Sequence, residues 1–217
     1  MSAVTLHLVT GILGSGKTTV LRHLIEGPSI EGQPAIVVGE YAEEGFDAQM
    51  LRASGAHVVQ ITGMGLGTAA KSYLGPVRQL VSSGDHTRVY LETSGVTEIG
   101  RVATELLEDP IIAERAQLGR TVTVLDAGAF ARHDAFFAPQ LWAQIAIADV
   151  VIINKTDKAD QDSLSGIRDR IHARHPGGSA ALVRFAYMGQ IRRQDVLADL
   201  EDGFRPALLD AHWGDDA

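Results

Sequence analysis

The chain has 217 residues, 45% of them hydrophobic and 21% charged, enough for one domain with a buried core. Its net charge of −8 speaks against a nucleic-acid partner, since phosphate recognition needs a basic face. It has no cysteine, which excludes a disulfide framework or a thiolate metal site and fits a reducing, cytoplasmic setting.

The predicted elements alternate. The first strand, VTLHLV (4–9), runs into GILGSGKTT (11–19), and then into a helix on which Leu21, Leu24 and Ile25 share a face. Further apolar runs lie at 35–39, 57–61, 88–93, 120–126, 150–154 and 181–186. Several are rich in Val and Ile, as strands buried on both faces are. Helical spacing recurs between them, at Leu141, Ile145 and Ala148 and at Leu164, Ile167 and Ile171. Strands alternating with helices predict an α/β fold, a mostly parallel sheet covered by helices on both faces. Residues 1–205 read as one domain and 206–217 as a short acidic tail. The N-terminus lacks the charged region and apolar core of a signal peptide. No apolar run reaches the roughly 18 residues of a membrane span, so no membrane is expected as partner.

Three strand ends carry candidate chemistry. GILGSGKTT fits the pattern GxxxxGK[ST] between a strand and a helix. Its glycines let backbone N–H groups point inward, and the helix dipole aims into the same space. Gly14, Ser15, Gly16, Lys17, Thr18 and Thr19 thus form a candidate phosphate cradle, with Lys17 bridging phosphates and the Thr18 hydroxyl on Mg²⁺. LETSG (91–95) places Glu92 where it can hold a Mg²⁺-bound water, or else cap the following helix, and Gly95 where its N–H can reach a γ-phosphate. NKTD (154–157) offers Asp157 to the donor pair of guanine, Asn154 to the other edge of the base and the Lys155 stem to its face. Adenine lacks that donor pair, and a buried unpaired carboxylate is costly.

With these motifs in order, the chain resembles the CobW-type P-loop GTPases, relatives of the urease and hydrogenase nickel-insertion GTPases. GILGSGKTT, ETSG and NKTD match their motifs, and GEYAEEGFD (39–47) looks like their NEFGEIGID segment. The resemblance implies Lys17, Glu92 and Asp47 as catalytic residues, and Thr18, Glu40 and Glu92 around Mg²⁺. It makes Glu40, Glu43 and Asp47 part of a switch-like loop. Gly39 and Ala42 depart from the Asn and Gly usual there. The family's metal-binding CxCC is replaced as well, its cysteine positions held by Met64, Leu66 and Gly67. These cannot stand in for thiolates on Zn²⁺. Among histidines, His172 and His175 lie three apart in HARH, His23 lies near the loop, and His133 and His212 lack local spacing. Exposed polar helix residues are the simpler reading of the HARH pair.

The expectation is a GTP-binding, Mg²⁺-dependent GTPase, slow without a partner, that switches to assist maturation or activation of a client protein. A metallochaperone with a non-thiolate site, and a nucleotide-gated binding module with little hydrolysis, are the alternatives. The resemblance also implies a nucleotide-dependent homodimer. The segment EYAEEGFDAQML, which mixes carboxylates with Tyr41, Phe46, Met50 and Leu51, is its candidate contact.

Overall fold

A computed structural model of the chain describes residues 3–26, 33–39, 46–61, 69–95, 99–176 and 182–197. Of Phe46, Asp47, Ala48 and Ala69 it describes the backbone alone. Expectations resting on Glu40, Glu43, Met64, Leu66, Gly67, His212, the side chain of Asp47 or the 206–217 tail lie outside the described residues.

Seven strands form one sheet: β1 (Val4–Thr10), β2 (Ala35–Gly39), β3 (His57–Ile61), β4 (Arg88–Glu92), β5 (Ala116–Asp126), β6 (Val150–Asn154) and β7 (Leu182–Phe185). Their order is β3-β2-β4-β1-β5-β6-β7, and every pairing is parallel. The connecting helices are α1 (Lys17–Ile25), α2 (Phe46–Ala53), α3 (Ala69–Ser72), α4 (Leu74–Ser83), α5 (Ile99–Glu108), α6 (Pro110–Arg115), α7 (Phe130–Phe136), α8 (Ala138–Ala146) and α9 (Gln161–Arg174). The expected α/β architecture is what forms.

Alternate strand residues serve opposite faces, as the two-residue repeat dictates. Ile36, Val38, Tyr90, Val122, Val124 and Ile152 pack under Val20, Leu21 and Leu24 of α1. Leu6, Leu8, Val37, Val89 and Leu91 pack under Val77 and Leu80 of α4 and Val102 and Leu106 of α5. Leu125, Val151 and Ile153 extend that second layer beneath Leu141, Ile145, Leu164 and Ile171. Helices therefore cover both faces, and a sheet so covered must be nearly all apolar.

β5 begins at Ala116, earlier than the run at 120–126 suggests. Its register against β1 shifts between Leu6 and Leu8, which pair with Leu118 and Thr121. His7 thus faces two residues, Gly119 and Arg120, in a β-bulge. Its Nδ1 accepts the Arg120 N–H at 3.0 Å. The ring fills the space a Cβ on Gly119 would need, 2.5 Å from Nδ1. A glycine inside a strand pattern hid the first half of the strand from the sequence.

The strand order reverses beside β1, since its chain leaves toward β2 on one side while β5 lies on the other. In open parallel sheets the carboxyl ends at such a point form the ligand crevice. No helix among the described residues is long and apolar enough to cross a membrane.

Candidate nucleotide site

The loop from Gly11 to Gly16 leaves β1 and enters α1, and Lys17 and Thr18 open that helix. Gly16 N-caps α1 at φ +94, a left-handed conformation that disfavours any side chain. A Cβ there would also meet the Asn154 Nδ2 at 2.4 Å, so the loop is pressed against the end of β6. Lys17 is buried and its Nζ donates to the Gly11 carbonyl at 3.0 Å, which folds the amine back over the loop. The Ser15 hydroxyl is wholly buried, with no hydrogen-bond partner among the described residues. A buried hydroxyl without a partner, in a glycine loop at a helix N-terminus, suits an oxyanion.

β4 brings the second group. Its pairing sets Glu92 beside Val9, one strand over from the loop. Glu92 is 4% exposed, and its Oε1 accepts the Thr18 hydroxyl at 2.8 Å. The backbone continues through Thr93, whose N–H bonds the Val9 carbonyl and whose hydroxyl donates to Thr10. At Gly95 a Cβ would lie 2.3 Å from the Leu13 nitrogen. Only glycine lets this segment approach the loop so closely. An alcohol and a carboxylate meeting next to a phosphate loop are hard oxygen donors, the set that suits Mg²⁺. The residues present therefore fit a magnesium nucleotide.

β6 and β7 bring the third. The Asn154 amide spans two segments, donating from Nδ2 to the Ser15 carbonyl at 3.0 Å and accepting at Oδ1 from the Gly189 N–H at 2.8 Å. The sequence assigned this amide to the base; the structure shows that it also ties the phosphate loop to the 187–190 turn. Met188 and Gly189 both have positive φ, in a tight turn closed by the Tyr187–Gln190 bridge. Lys155, itself left-handed at φ 56, reaches back to the Gly14 carbonyl at 2.6 Å and to Asp126 Oδ2 at 2.7 Å. Asp126 ends β5, and its other oxygen caps the turn Ala127–Ala129 through the Ala129 N–H. The Lys155 stem is thus held as a ledge beside the loop. Asp157, in the turn Thr156–Lys158, is exposed.

The fold thus brings together Gly14, Ser15, Gly16, Lys17, Thr18, Glu92, Gly95, Asn154 and Lys155. Thr19 lies with its side chain against Gly189, the partner of Asn154, where a Cβ would come within 2.6 Å of its Cγ2. Asp126 is a participant the sequence did not single out. One aspartate after TVTVL is an ordinary strand end, and only the sheet order puts it beside Lys155. His133 is buried nearby. Burial holds its imidazole below the ordinary range, the Asp126 charge pulling the other way.

The histidines of HARH differ in setting: His172 is half-buried and His175 buried. His175 is buried, not exposed, and its Nε2 bonds the Ala148 carbonyl at 2.9 Å. It thereby closes the end of α9 onto the segment before β6. Among the described residues no group of three or more His, Asp or Glu side chains is placed to hold a metal ion.

Comparison with known proteins agrees with this geometry. A family model described as CobW/HypB/UreG, nucleotide-binding domain, matches residues 5–180. The zinc chaperone CobW of Pseudomonas aeruginosa is 29% identical over 202 residues, covering 78% of this chain and 53% of its own. The zinc chaperone YeiR of Escherichia coli is 28% identical over 181 residues, covering 78% and 55%. The chain thus spans about half the length of these curated relatives. Among solved structures, nickel-bound HypB from Helicobacter pylori superposes with a TM-score of 0.62 at 16% identity, covering 89% of this chain and 82% of that one. Zn(II)-bound YjiA GTPase from E. coli gives 0.54 at 20% identity, covering 79% and 54%. At such identity these two likenesses establish the fold. The family match over most of the chain, joined to a phosphate loop, a hydroxyl–carboxylate pair and the NKTD turn on one sheet edge, places this chain in the CobW/HypB/UreG nucleotide-binding domain family.

Proposed function

We propose that the chain is a GTP-binding and GTP-hydrolysing switch that assists the maturation or activation of a client protein in the cytoplasm. One observation carries the reading. Asn154 and Lys155 clamp the base-reading turn directly onto the phosphate loop, at the Ser15 and Gly14 carbonyls. A nucleotide filling the loop then has its base carried toward Asp157, whose carboxylate accepts the N1–H and exocyclic amine of guanine. Ser15, Gly16 and Lys17 hold the phosphates, Thr18 and Glu92 hold Mg²⁺, and Gly95 donates its N–H to the γ-phosphate. The ion supplies charge neutralisation across the phosphates, and the protein supplies position.

Glu40 and Asp47, from the switch-like loop, complete the Mg²⁺ and catalytic groups in this proposal. The loops at 40–47 and 62–70 order around GTP and release after hydrolysis. No arginine of the chain is assigned to the transition state, so turnover is slow until the client joins.

A second reading is favoured by the names of the relatives, several of which are zinc chaperones. In it the client receives a metal, held here without thiolates because the chain has no cysteine.

Single-turnover hydrolysis of GTP with Mg²⁺, beside ATP binding, tests the main reading. Lys17→Ala is expected to abolish tight GTP binding. Equal affinity for ATP and GTP removes the guanine assignment, and unchanged hydrolysis in Lys17→Ala moves the active site elsewhere. Nucleotide binding without turnover leaves a gated binding module.

A further inference from the structure

We propose that His57 and His86 form a second site, for a divalent transition-metal ion of the zinc class, at the end of the sheet opposite the phosphate loop. His57 is the first residue of β3, His86 leads into β4, and Gln33 leads into β2. The order β3-β2-β4 sets these three lead-ins side by side. The strands are parallel, so this edge lies a full strand length from the nucleotide groups.

The hydrogen bonds fix the protons. His86 Nδ1 lies 2.9 Å from the Gln33 carbonyl. A carbonyl only accepts, so Nδ1 carries the hydrogen and the neutral ring keeps its lone pair on Nε2. That Nε2 lies 3.0 Å from His57 Nδ1. His57 Nδ1 therefore donates, and its Nε2 carries the free lone pair of an exposed ring. His86 itself is 5% exposed. An imidazole oriented by a backbone carbonyl through one nitrogen, which leaves the lone pair on the other, is how proteins hold histidine for a metal.

The distances suit an ion. In a tetrahedral zinc site, nitrogens at about 2.0–2.1 Å from the metal stand about 3.3 Å apart. Opening the 3.0 Å pair by a few tenths of an ångström, and turning the exposed His57 ring so that both lone pairs converge beside the line between them, admits it. As it enters, the His57 proton moves from Nδ1 to Nε2, where water accepts its hydrogen bond. His86 keeps its Nδ1–H on Gln33. No proton is lost, and both rings stay neutral. Water completes the shell on the exposed side. Two protein ligands give micromolar binding, suited to taking an ion up and giving it away. The site uses no thiol and no residue of the nucleotide crevice, so it stands apart from the reading of that crevice.

The test is calorimetric titration of zinc chloride into the whole chain in a non-chelating buffer, with long-range ¹H–¹⁵N imidazole spectra at each step. The expected result is one micromolar equivalent, with the His57 Nδ1 and His86 Nε2 resonances shifting together. His57→Ala, a change at an exposed ring, weakens that equivalent by about tenfold or more, with an unchanged melting temperature confirming the fold. His172→Ala leaves it intact. The same zinc affinity in His57→Ala, or imidazole nitrogens that stay in place at saturating zinc, overturns the proposal and leaves the pair as a hydrogen-bonded tie between strands.

Discussion

Asp157 is exposed in the middle of its turn, while its neighbours Asn154 and Lys155 hold the crevice together. In the proposed reading the Asp157 carboxylate then selects the base. Asp157→Asn keeps the shape but exchanges one acceptor for a donor. GTP binding is expected to weaken by about ten- to a hundredfold, about 1.5–3 kcal/mol, while xanthosine triphosphate gains. Competition binding checks both, and unchanged GTP affinity places the base elsewhere. His7 poses a different residue-scale problem. Burial, then the nearby Arg88 and Arg120 charges, hold its imidazole at about 3 against an ordinary 6.5. The folded ring stays neutral while the unfolded one protonates. Its stabilising contribution is therefore complete above pH 6.5 and is lost as pH falls from there toward 3. Between pH 7 and pH 5 the loss is about 2 kcal/mol. Asn in its place offers an oxygen to the Arg120 N–H and cannot titrate. Urea unfolding of His7→Asn should vary less between those two pH values than that of the parent chain. Equal pH dependence would mean the ring is solvated.

At the scale of elements, β2, β3 and β6 were legible to the residue: the runs of β2 and β6 are short and buried throughout, and that of β3 is a half-buried, β-branched edge run. The phosphate loop was legible because only a cradle needs that glycine spacing before a lysine. The bulge in β5 was not, since it depends on His7 more than a hundred residues away. Nor was the turn at Tyr187–Gln190, which acquires its role only when β7 pairs with β6 and carries Gly189 to Asn154. Asn154 consequently works as a fastener of three elements. Asn154→Ala leaves the Ser15 carbonyl and the Gly189 N–H without their partner, at about 1–3 kcal/mol each when buried. A fall in melting temperature of roughly 4 °C or more is expected even without nucleotide. A variant that melts as the parent does, yet binds GTP poorly, would instead mean that the amide contacts the base.

The whole molecule gathers its nucleotide groups on one sheet edge, and that edge carries Leu13, 78% exposed on the phosphate loop. Pairing of two chains across their nucleotide faces, which the family resemblance implies with the EYAEEGFDAQML segment as candidate contact, would cover this residue. Light scattering with GDP and with a non-hydrolysable GTP analogue, both with Mg²⁺, should give a dimer in the second state alone. A monomer mass in both at high concentration removes it. The strand order has a further consequence, felt while the chain is being made. β1 is synthesised first yet sits at the centre, between strands that begin at Arg88 and Ala116. A nascent chain must wait for both, and such distant pairing is slow. Until β6 and the 187–190 turn emerge, the phosphate loop lacks the Asn154 and Lys155 supports that hold it. GTP is therefore expected not to order the first half of the chain on the ribosome, where β1 still lacks one of the strands that flank it. Ribosome-arrested chains ending at Arg115 should be equally protease-sensitive with and without GTP, and those extended well past Gln190 should gain protection from it. Protection of the shorter chain would show that the cradle assembles without its far wall.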